Sequence, residues 1–399
     1  MNKKRKKDNK KLSFKIMLRL YRYMVKTLPI KKKMVVFESN GGKNYTGNPK
    51  CIYEEMVKRE LDKKYKCYYI FTDTKTQIPG KAKKLKRSGL RYFYILARAG
   101  IWVSDFRLPW YIIKREETSY IQTWHGTPLK KLALDLEQLN MAGDTNLKKY
   151  KKFFRMNTGT WDYLISQNRF STEVFRRCFA FKKEMLEIGY PRNDVLFSNN
   201  NSEYLADLKK KLNLPPDKKV ILYAPTWRDD EYNTEAGGYK FSPRIDFSLM
   251  QEKLKDQYVM LVKYHYLVQD LVDWTPYQGF IYEFDKSYDI SELYLAADLL
   301  ITDYSSVMFD YSLLKRPMFF YAYDLDNYKD NLRGFYFDFI AEAPGPISKT
   351  TEQLIEDIRT YNRAEYQERY DAFSLKYNHA DDGHASEKVV DLIVEKAEN

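Results

Sequence analysis

The stretch Met34-Val35-Val36-Phe37-Glu38-Ser39, followed by the loop Asn40-Gly41-Gly42-Lys43-Asn44-Tyr45-Thr46-Gly47-Asn48-Pro49 and a helix from about Lys50 to Leu61, reads as strand, loop, helix. The apolar run is short and does not alternate with polar residues, as expected of a strand covered on both faces. The same order recurs. Further strands are expected at Cys67–Phe71, Ile101–Ser104, Tyr120–Trp124, Tyr163–Ser166 and Leu186–Gly189, with helical stretches between several of them. Around residues 200–218 an Asn-rich turn, a helix and Pro215-Pro216-Asp217 mark a junction. A second alternating block opens at Lys219-Val220-Ile221-Leu222-Tyr223-Ala224. Its later strands are Val259–Tyr264, Phe280–Phe284, Leu299–Thr302 and Met318–Tyr321. Strand–helix alternation of this kind predicts an α/β protein with two doubly wound, Rossmann-like domains facing across a cleft. The expected divisions are a basic segment 1–33, a first domain 34–205, a second domain 206–375 and a tail 376–399. The tail's helix, around Ser386–Lys396, is expected to cross back to the first domain.

Composition supports full-sized cores. The chain has 399 residues, 44% of them apolar, and its 16% aromatic content argues against disorder. Cys51, Cys67 and Cys178 have no metal-ligand spacing and cannot all pair, which suits a reducing compartment. The net charge of +14 is concentrated: residues 1–33 hold fourteen Lys/Arg against the single acid Asp8, and the rest is nearly neutral. Within that segment Phe14, Met17, Leu18, Tyr21, Met24, Val25 and Leu28 recur at three- and four-residue steps, making one apolar helical face. Cations interrupt it too often for a membrane span or signal peptide. The expectation is a basic amphipathic helix lying on an anionic membrane surface, with Lys4, Arg5, Lys15, Arg19 and Arg22 among its cations. The competing expectation is a helix packed on the protein itself. Nucleic acid is not an expected partner, because no RNA-recognition or zinc-finger pattern accompanies the patch.

Ligands of open parallel sheets bind beyond the carboxyl ends of the strands. Five segments stand there. In Gln122-Thr123-Trp124-His125-Gly126-Thr127-Pro128-Leu129-Lys130-Lys131, a strand is expected to end in an imidazole, with Thr-Pro capping a following helix. His125, one of four histidines, is a candidate for proton transfer, and Lys130 and Lys131 for an anion. Gly189-Tyr190-Pro191-Arg192-Asn193-Asp194 holds Arg192 on a Pro-fixed turn, either to fork onto a phosphate or to pair with Asp194. Ala224-Pro225-Thr226-Trp227-Arg228-Asp229-Asp230 offers amides, a hydroxyl and a guanidinium. Leu261-Val262-Lys263-Tyr264-His265 brings a second histidine to a strand end. Leu299–Thr302 leads through Asp303-Tyr304 into a Ser305-Ser306 helix start, which is either an anion site or a plain cap. Asp310 follows one turn in, facing the cleft or solvent. There is no Walker A loop and no Gly-x-Gly-x-x-Gly run. No cofactor is called for, and the need for a divalent metal is left open.

Together these segments resemble the CDP-glycerol glycerophosphotransferases of teichoic acid synthesis, over about residues 34–390. A further matching stretch is Tyr321-Ala322-Tyr323-Asp324-Leu325-Asp326 followed by Arg333-Gly334-Phe335-Tyr336. The resemblance implies a glycosyltransferase-B-like (GT-B-like) fold. It implies transfer of a polyol phosphate from a CDP-activated donor to an undecaprenyl-diphosphate-linked acceptor at the cytoplasmic face of the membrane, with CMP released. On that basis His125 is expected to activate the acceptor hydroxyl, and His265 to bind donor phosphate or protonate the leaving group. Gly126, Thr127, Pro128, Arg192, Pro225, Thr226, Arg228, Lys263, Tyr264, Ser305 and Ser306 are expected to hold the donor. Asp310 would contact its polyol or anchor the Ser-Ser helix. The donor is expected to be CDP-glycerol, with CDP-ribitol, or a nucleotide-sugar for an enzyme of the same fold, as alternatives; a basic membrane adaptor with an inactive fold is the non-enzymatic one. The family's long polymerases carry a large N-terminal extension that this sequence lacks, so its size is closer to members adding one or a few units. The oligomeric state is not encoded in any of these features.

Overall fold

Two all-parallel sheets organise the chain. A computed structural model describes residues 2–138, 146–226, 232–233, 238–240, 244–263, 268–269, 272–284, 288–325 and 334–398. The first sheet contains β1 (Lys31–Glu38), β2 (Lys66–Phe71), β3 (Lys83–Lys86), β4 (Ala99–Ser104), β5 (Ser119–Gln122), β6 (Tyr163–Ser166) and β7 (Glu184–Glu187). Their spatial order is β3-β2-β1-β4-β5-β6-β7. The chain thus leaves β1 in one direction, returns, and builds the other half from β4 onward. The second sheet repeats the plan with β8 (Lys219–Tyr223), β11 (Tyr258–Val262), β13 (Ile281–Glu283), β14 (Leu299–Thr302), β15 (Met318–Tyr321) and β16 (Ile347–Ser348), in the order β13-β11-β8-β14-β15-β16. Three short strands, β9 (Tyr232–Asn233), β10 (Gly238–Lys240) and β12 (Val268–Gln269), pair separately.

Each central strand feeds two cores. On β1, Met34 and Val36 join the core on one face of the sheet, while Val35 and Phe37 join that on the other. On β8, Val220 and Leu222 face one core, Ile221 and Tyr223 the other. Fully burying each such side chain contributes roughly 1.5–3 kcal/mol before entropy is counted, which is why these runs read as continuous apolar strands. The edge strand β3, Lys83-Lys84-Leu85-Lys86, was not expected. It buries only Leu85, and its lysines suit an unpaired edge.

Two chain ends complete the first domain. The C-terminal helix, Ala385–Glu398, lays Val389, Val390 and Ile393 on the β1 face that holds Val35 and Phe37. The N-terminal helix, Asn2–Thr27, covers the opposite face. For this apolar face the structure bears out the competing expectation, a helix packed on the protein itself. Tyr21 and Met24 are buried, and Phe14, Met17, Leu18, Val25 and Leu28 pack against the same core. Tyr21 Oη donates to the Ile113 carbonyl at 3.1 Å, and the Phe14 and Tyr111 rings meet edge-on at 5.2 Å. The apolar face predicted for lipid is therefore part of the fold, because its aromatic residues find a fitted protein surface. A different stripe, Leu12, Ile16, Leu20 and Tyr23, is exposed beside exposed Lys15, Arg19 and Arg22. The side chains of Lys4 and Arg5 lie outside the described residues. Among the described residues no helix is long and apolar enough to cross a membrane.

Candidate active site

Each sheet reverses its strand order beside its first strand, between β1 and β4 and between β8 and β14. Loops leaving the carboxyl ends diverge there and open a crevice. At the first switch point the loop after β1 crosses to the end of β4, where the Asn40 N–H donates to Asp105 Oδ1 at 2.8 Å. At the second, the Thr226 N–H donates to Asp303 Oδ1 at 2.9 Å, and Thr302 Oγ1 donates to the Ala224 carbonyl at 2.8 Å.

His125 stands over the first switch point. Strand β5 ends at Gln122, whose Oε1 accepts the Trp124 N–H at 3.0 Å, while the Asn48 amide donates to the Trp124 carbonyl at 3.1 Å. These bonds hold Trp124 at φ 52°, a left-handed conformation that bulky residues adopt only when their surroundings enforce it. The turn brings His125 Nδ1 to 3.0 Å from the Asp105 carbonyl oxygen. A carbonyl can only accept, so Nδ1 carries the proton and Nε2 keeps its lone pair. The Trp124 ring stacks on the imidazole at 4.5 Å. Crowding by the cleft walls, then the charges of Arg192 and Arg107, hold the imidazole's pKa below its ordinary value against the pull of the Asp105 carbonyl. The residue itself is exposed, so the neutral base is accessible to solvent.

The segment after His125 departs from expectation. Thr127-Pro128 caps no helix. Thr127 is buried and donates through Oγ1 to Gln167 Oε1 at 2.6 Å, while Asn168 and Ser171 each donate to it at 3.2 Å. The chain then runs extended against the second half of the molecule. Lys131 N donates to the Gly334 carbonyl and Tyr336 N to the Leu129 carbonyl, both at 2.9 Å, around a Lys130–Phe335 bridge. Backbone pairing across the domains takes the place of helix capping. Lys131 Nζ pairs with Glu137 Oε1 at 2.7 Å.

Arg192 pairs with Asp310, not Asp194. Its Nη2 meets Asp310 Oδ2 at 2.6 Å, and its Nη1 donates to the His125 carbonyl at 2.8 Å. Asp194 instead caps the C-terminal helix, accepting the N–H groups of Ala385 and Ser386 at 3.1 and 2.7 Å. Asp310 faces neither open cleft nor solvent: it is 2% exposed. Asn193 Nδ2 and Gln167 Nε2 donate to its Oδ1 at 3.2 and 3.4 Å, and the same amides reach Asp381 at 3.1 and 3.0 Å. Asp381 Oδ1 also accepts the Tyr190 N–H at 3.0 Å, and burial pushes its carboxyl up to about 7. A Cβ on Gly189, which has φ 80°, would lie 2.8 Å from Asp381, so glycine is what lets the tail approach. This buried network joins the first domain, the second domain and the tail directly beneath His125.

Ser305 and Ser306 are half-buried at the mouth of a short helix, Val307–Tyr311. Ser305 Oγ accepts the Val307 N–H at a long 3.5 Å, which leaves little of the cap reading. A Cβ on Gly126 would lie 2.8 Å from Ser306 Oγ, so the two walls of the crevice touch at this glycine. Pro225 and Thr226 are half-buried at the second switch point. Lys263 is buried at the end of β11, its N–H donating to the Tyr223 carbonyl at 3.1 Å. Arg228, Tyr264, His265 and the acid pair Asp229-Asp230 lie outside the described residues, as do Asp326 and Arg333. Among the described residues no group of three or more His, Cys, Asp or Glu could hold a metal. Asp105, Asn48, Gln167, Asn193 and Asp381 were not foreseen. Asp105 and Gln167 carried a signal, their place directly after recognised strands, and Asn193 lay within a segment already singled out.

Fold and crevice define a GT-B-like protein built from two doubly wound domains. The profile of the CDP-Glycerol:Poly(glycerophosphate) glycerophosphotransferase family matches residues 20–395, and the chain belongs to that family. It is 47% identical over 375 residues to the teichoic acid poly(glycerol phosphate) polymerase of Bacillus subtilis (strain 168), covering 93% of this chain and 50% of that one. The chain thus spans about half that relative's length. It is 42% identical to the enzyme of the same name from Bacillus spizizenii (strain W23), covering 92% and 93% of the two chains. A teichoic acid poly(ribitol-phosphate) polymerase from the latter organism is 32% identical, covering 92% of this chain and 57% of that one. Among solved structures, a histidine-to-asparagine variant of the wall teichoic acid polymerase TagF soaked with CDPG superposes with a TM-score of 0.89 at 46% identity, covering 96% of this chain and 93% of that one.

Proposed function

We propose that this chain transfers glycerol phosphate from CDP-glycerol to a hydroxyl of a lipid-linked teichoic acid acceptor and releases CMP. The observation that carries the reading is the His125 tautomer: Nδ1 is committed to the Asp105 carbonyl, so a neutral Nε2 is left for the acceptor. In the reaction the acceptor oxygen attacks the phosphorus bearing glycerol. His125 takes the hydroxyl proton as the new P–O bond forms, and the bond to CMP breaks. Charge on the phosphates is met from the opposite wall by Ser305, Ser306, Thr226 and Lys263. Arg192 and Asp310 act from beneath by fixing the His125 backbone to the second domain. Greater identity to relatives named for glycerol than to one named for ribitol favours CDP-glycerol as donor. The acceptor's lipid places the enzyme at the cytoplasmic membrane face, where Leu12, Ile16, Leu20 and Tyr23 with Lys15, Arg19 and Arg22 supply an apolar and basic contact.

The decisive experiment measures CMP release by the full chain with a lipid-linked acceptor, from CDP-glycerol and CDP-ribitol in parallel. Turnover of CDP-glycerol is expected. Preference for CDP-ribitol would reassign the donor, and turnover of a nucleotide-sugar alone would overturn the reading.

A further inference from the structure

Arg107 differs from the other arginine near His125. Arg192 has Asp310 as counter-ion. Arg107 stands two residues past Asp105, and among the described residues no carboxylate pairs with it and no hydrogen bond uses its N–H groups. It is partly buried nonetheless. Its guanidinium lies 4.4 Å from the Phe154 ring centre and 5.8 Å from that of Tyr150, both on the helix Leu147–Thr158. That platform belongs to a continuous aromatic wall. Phe154 stacks on Phe179 at 5.3 Å, Phe179 meets Trp124 edge-on at 4.6 Å, and Trp124 stacks on His125 at 4.5 Å. The wall joins the guanidinium to the catalytic imidazole through rigid rings. Desolvation lowers the Arg107 pKa, the mark of a cation whose surroundings lack an anion. Its donors are not sealed from solvent. The platform helix adds Lys148, Lys149, Lys151, Lys152 and Arg155 and no acid.

A stacked guanidinium with unused donors matches a two-oxygen anion such as a phosphate. The donor's phosphates fall to the second switch point, on the far wall. Arg107 lies on the first-domain wall, the side of the incoming hydroxyl. We propose that Arg107, held flat on Phe154 and Tyr150, binds a phosphodiester of the acceptor chain next to the hydroxyl that His125 activates. This rests on the function proposed above and adds to it an acceptor subsite. The phosphate anchors the chain end, and the aromatic wall fixes the spacing between anchor and base.

The test compares wild type with Arg107→Gln and Arg107→Lys. Initial rates are measured with CDP-glycerol and two soluble acceptors, a short glycerol-phosphate oligomer and an uncharged polyol of similar length. Arg107→Gln is expected to raise the oligomer's KM about tenfold or more, the size of one lost charge-assisted bond. The KM for CDP-glycerol should stay near wild type, and so should the rate with the uncharged acceptor when measured well above the imidazole's pKa, where His125 is neutral with or without the Arg107 charge. Arg107→Lys, which keeps the charge but not the fork, should fall between. A rise in donor KM instead would assign Arg107 to the donor, and an equal loss with both acceptors would make it structural; either overturns the proposal. Calorimetric binding of the oligomer to full-length protein separates this result from failure of the reaction itself. Loss of binding in Arg107→Gln supports the subsite even if wild type proves inactive with CDP-glycerol, and unchanged binding removes it.

Discussion

The two switch points use one device for opposite purposes. In each, an aspartate just past the strand across the switch accepts a backbone N–H from the loop after the first strand: Asn40 to Asp105, Thr226 to Asp303. The device pins two diverging loops and so fixes the floor of a crevice. What stands above the floor differs. Over Asp105 the turn at Trp124 delivers an imidazole, and the aspartate's own carbonyl sets its tautomer. Over Asp303 there are hydroxyls, loop amides and the nearby Lys263. On the proposed function, one topology used twice yields a base on one side and an anion cradle on the other, set by the grafted side chains rather than the fold.

The sharpest way to break this comparison is to remove the base. His125→Ala should lower transfer by roughly 10²–10⁴-fold, the usual worth of a positioned general base, while CDP-glycerol binding measured by calorimetry changes little. Near-normal turnover would strip His125 of its role. Next in size is the tie between the walls. Asp310→Ala leaves Arg192 charged and buried without its partner, with an expected loss of about 3–5 kcal/mol in urea unfolding. A loss below about 1 kcal/mol would mean that the network in place does not depend on the pair. The aspartates themselves provide a subtler test. Asp303→Ala and Asp105→Ala each orphan one loop N–H, at about 1–3 kcal/mol of local stability. The first should raise donor KM and the second should lower kcat. Identical kinetic signatures would show that the two walls do not divide the labour.

How much of this the sequence reveals depends on whether a contact is local. Strands such as β1 and β8 are legible because burial on both faces leaves an unbroken apolar run. His125, Arg192 and Ser305-Ser306 are legible because they sit at strand ends, where the topology places ligands. The partners of these residues are not. Asp310 lies 118 residues from Arg192, and Asp381 lies 188 residues from Asn193 and 214 from Gln167, and no periodicity encodes such meetings. Asp381 sits in Asn378-His379-Ala380-Asp381-Asp382, which reads as a solvated polar turn, yet Gly189 makes room for it in the interior. The N-terminal helix shows the same limit differently. Its amphipathic spacing is plain, but whether Tyr21 and Met24 face lipid or protein depends on Phe93, Tyr111 and Ile113, which only the fold brings near.

The most gradual of the expected effects concerns the protons held by Asp105 and Asp381. Burial pushes both carboxyls up to about 7, against an ordinary value near 3.8. The folded protein therefore binds protons at these sites over a pH range where the unfolded chain has released them. The stability they contribute is fully present below about pH 4 and is lost as pH rises through about 7. Each site should change the slope of stability with pH by roughly 1 kcal/mol per pH unit within that window, superimposed on the opposite trend of paired carboxylates. Asp105→Asn and Asp381→Asn keep a carbonyl oxygen for the N–H groups of Asn40 and Tyr190 and remove the titration. Urea unfolding from pH 4.5 to 7.5 should show each variant gaining stability relative to wild type as pH rises. Parallel curves would mean that these carboxyls titrate alike in both states. If only the Asp381 curve diverged, the buried latch under the tail would carry the effect, and the floor of the His125 switch point would be wetter than its burial implies.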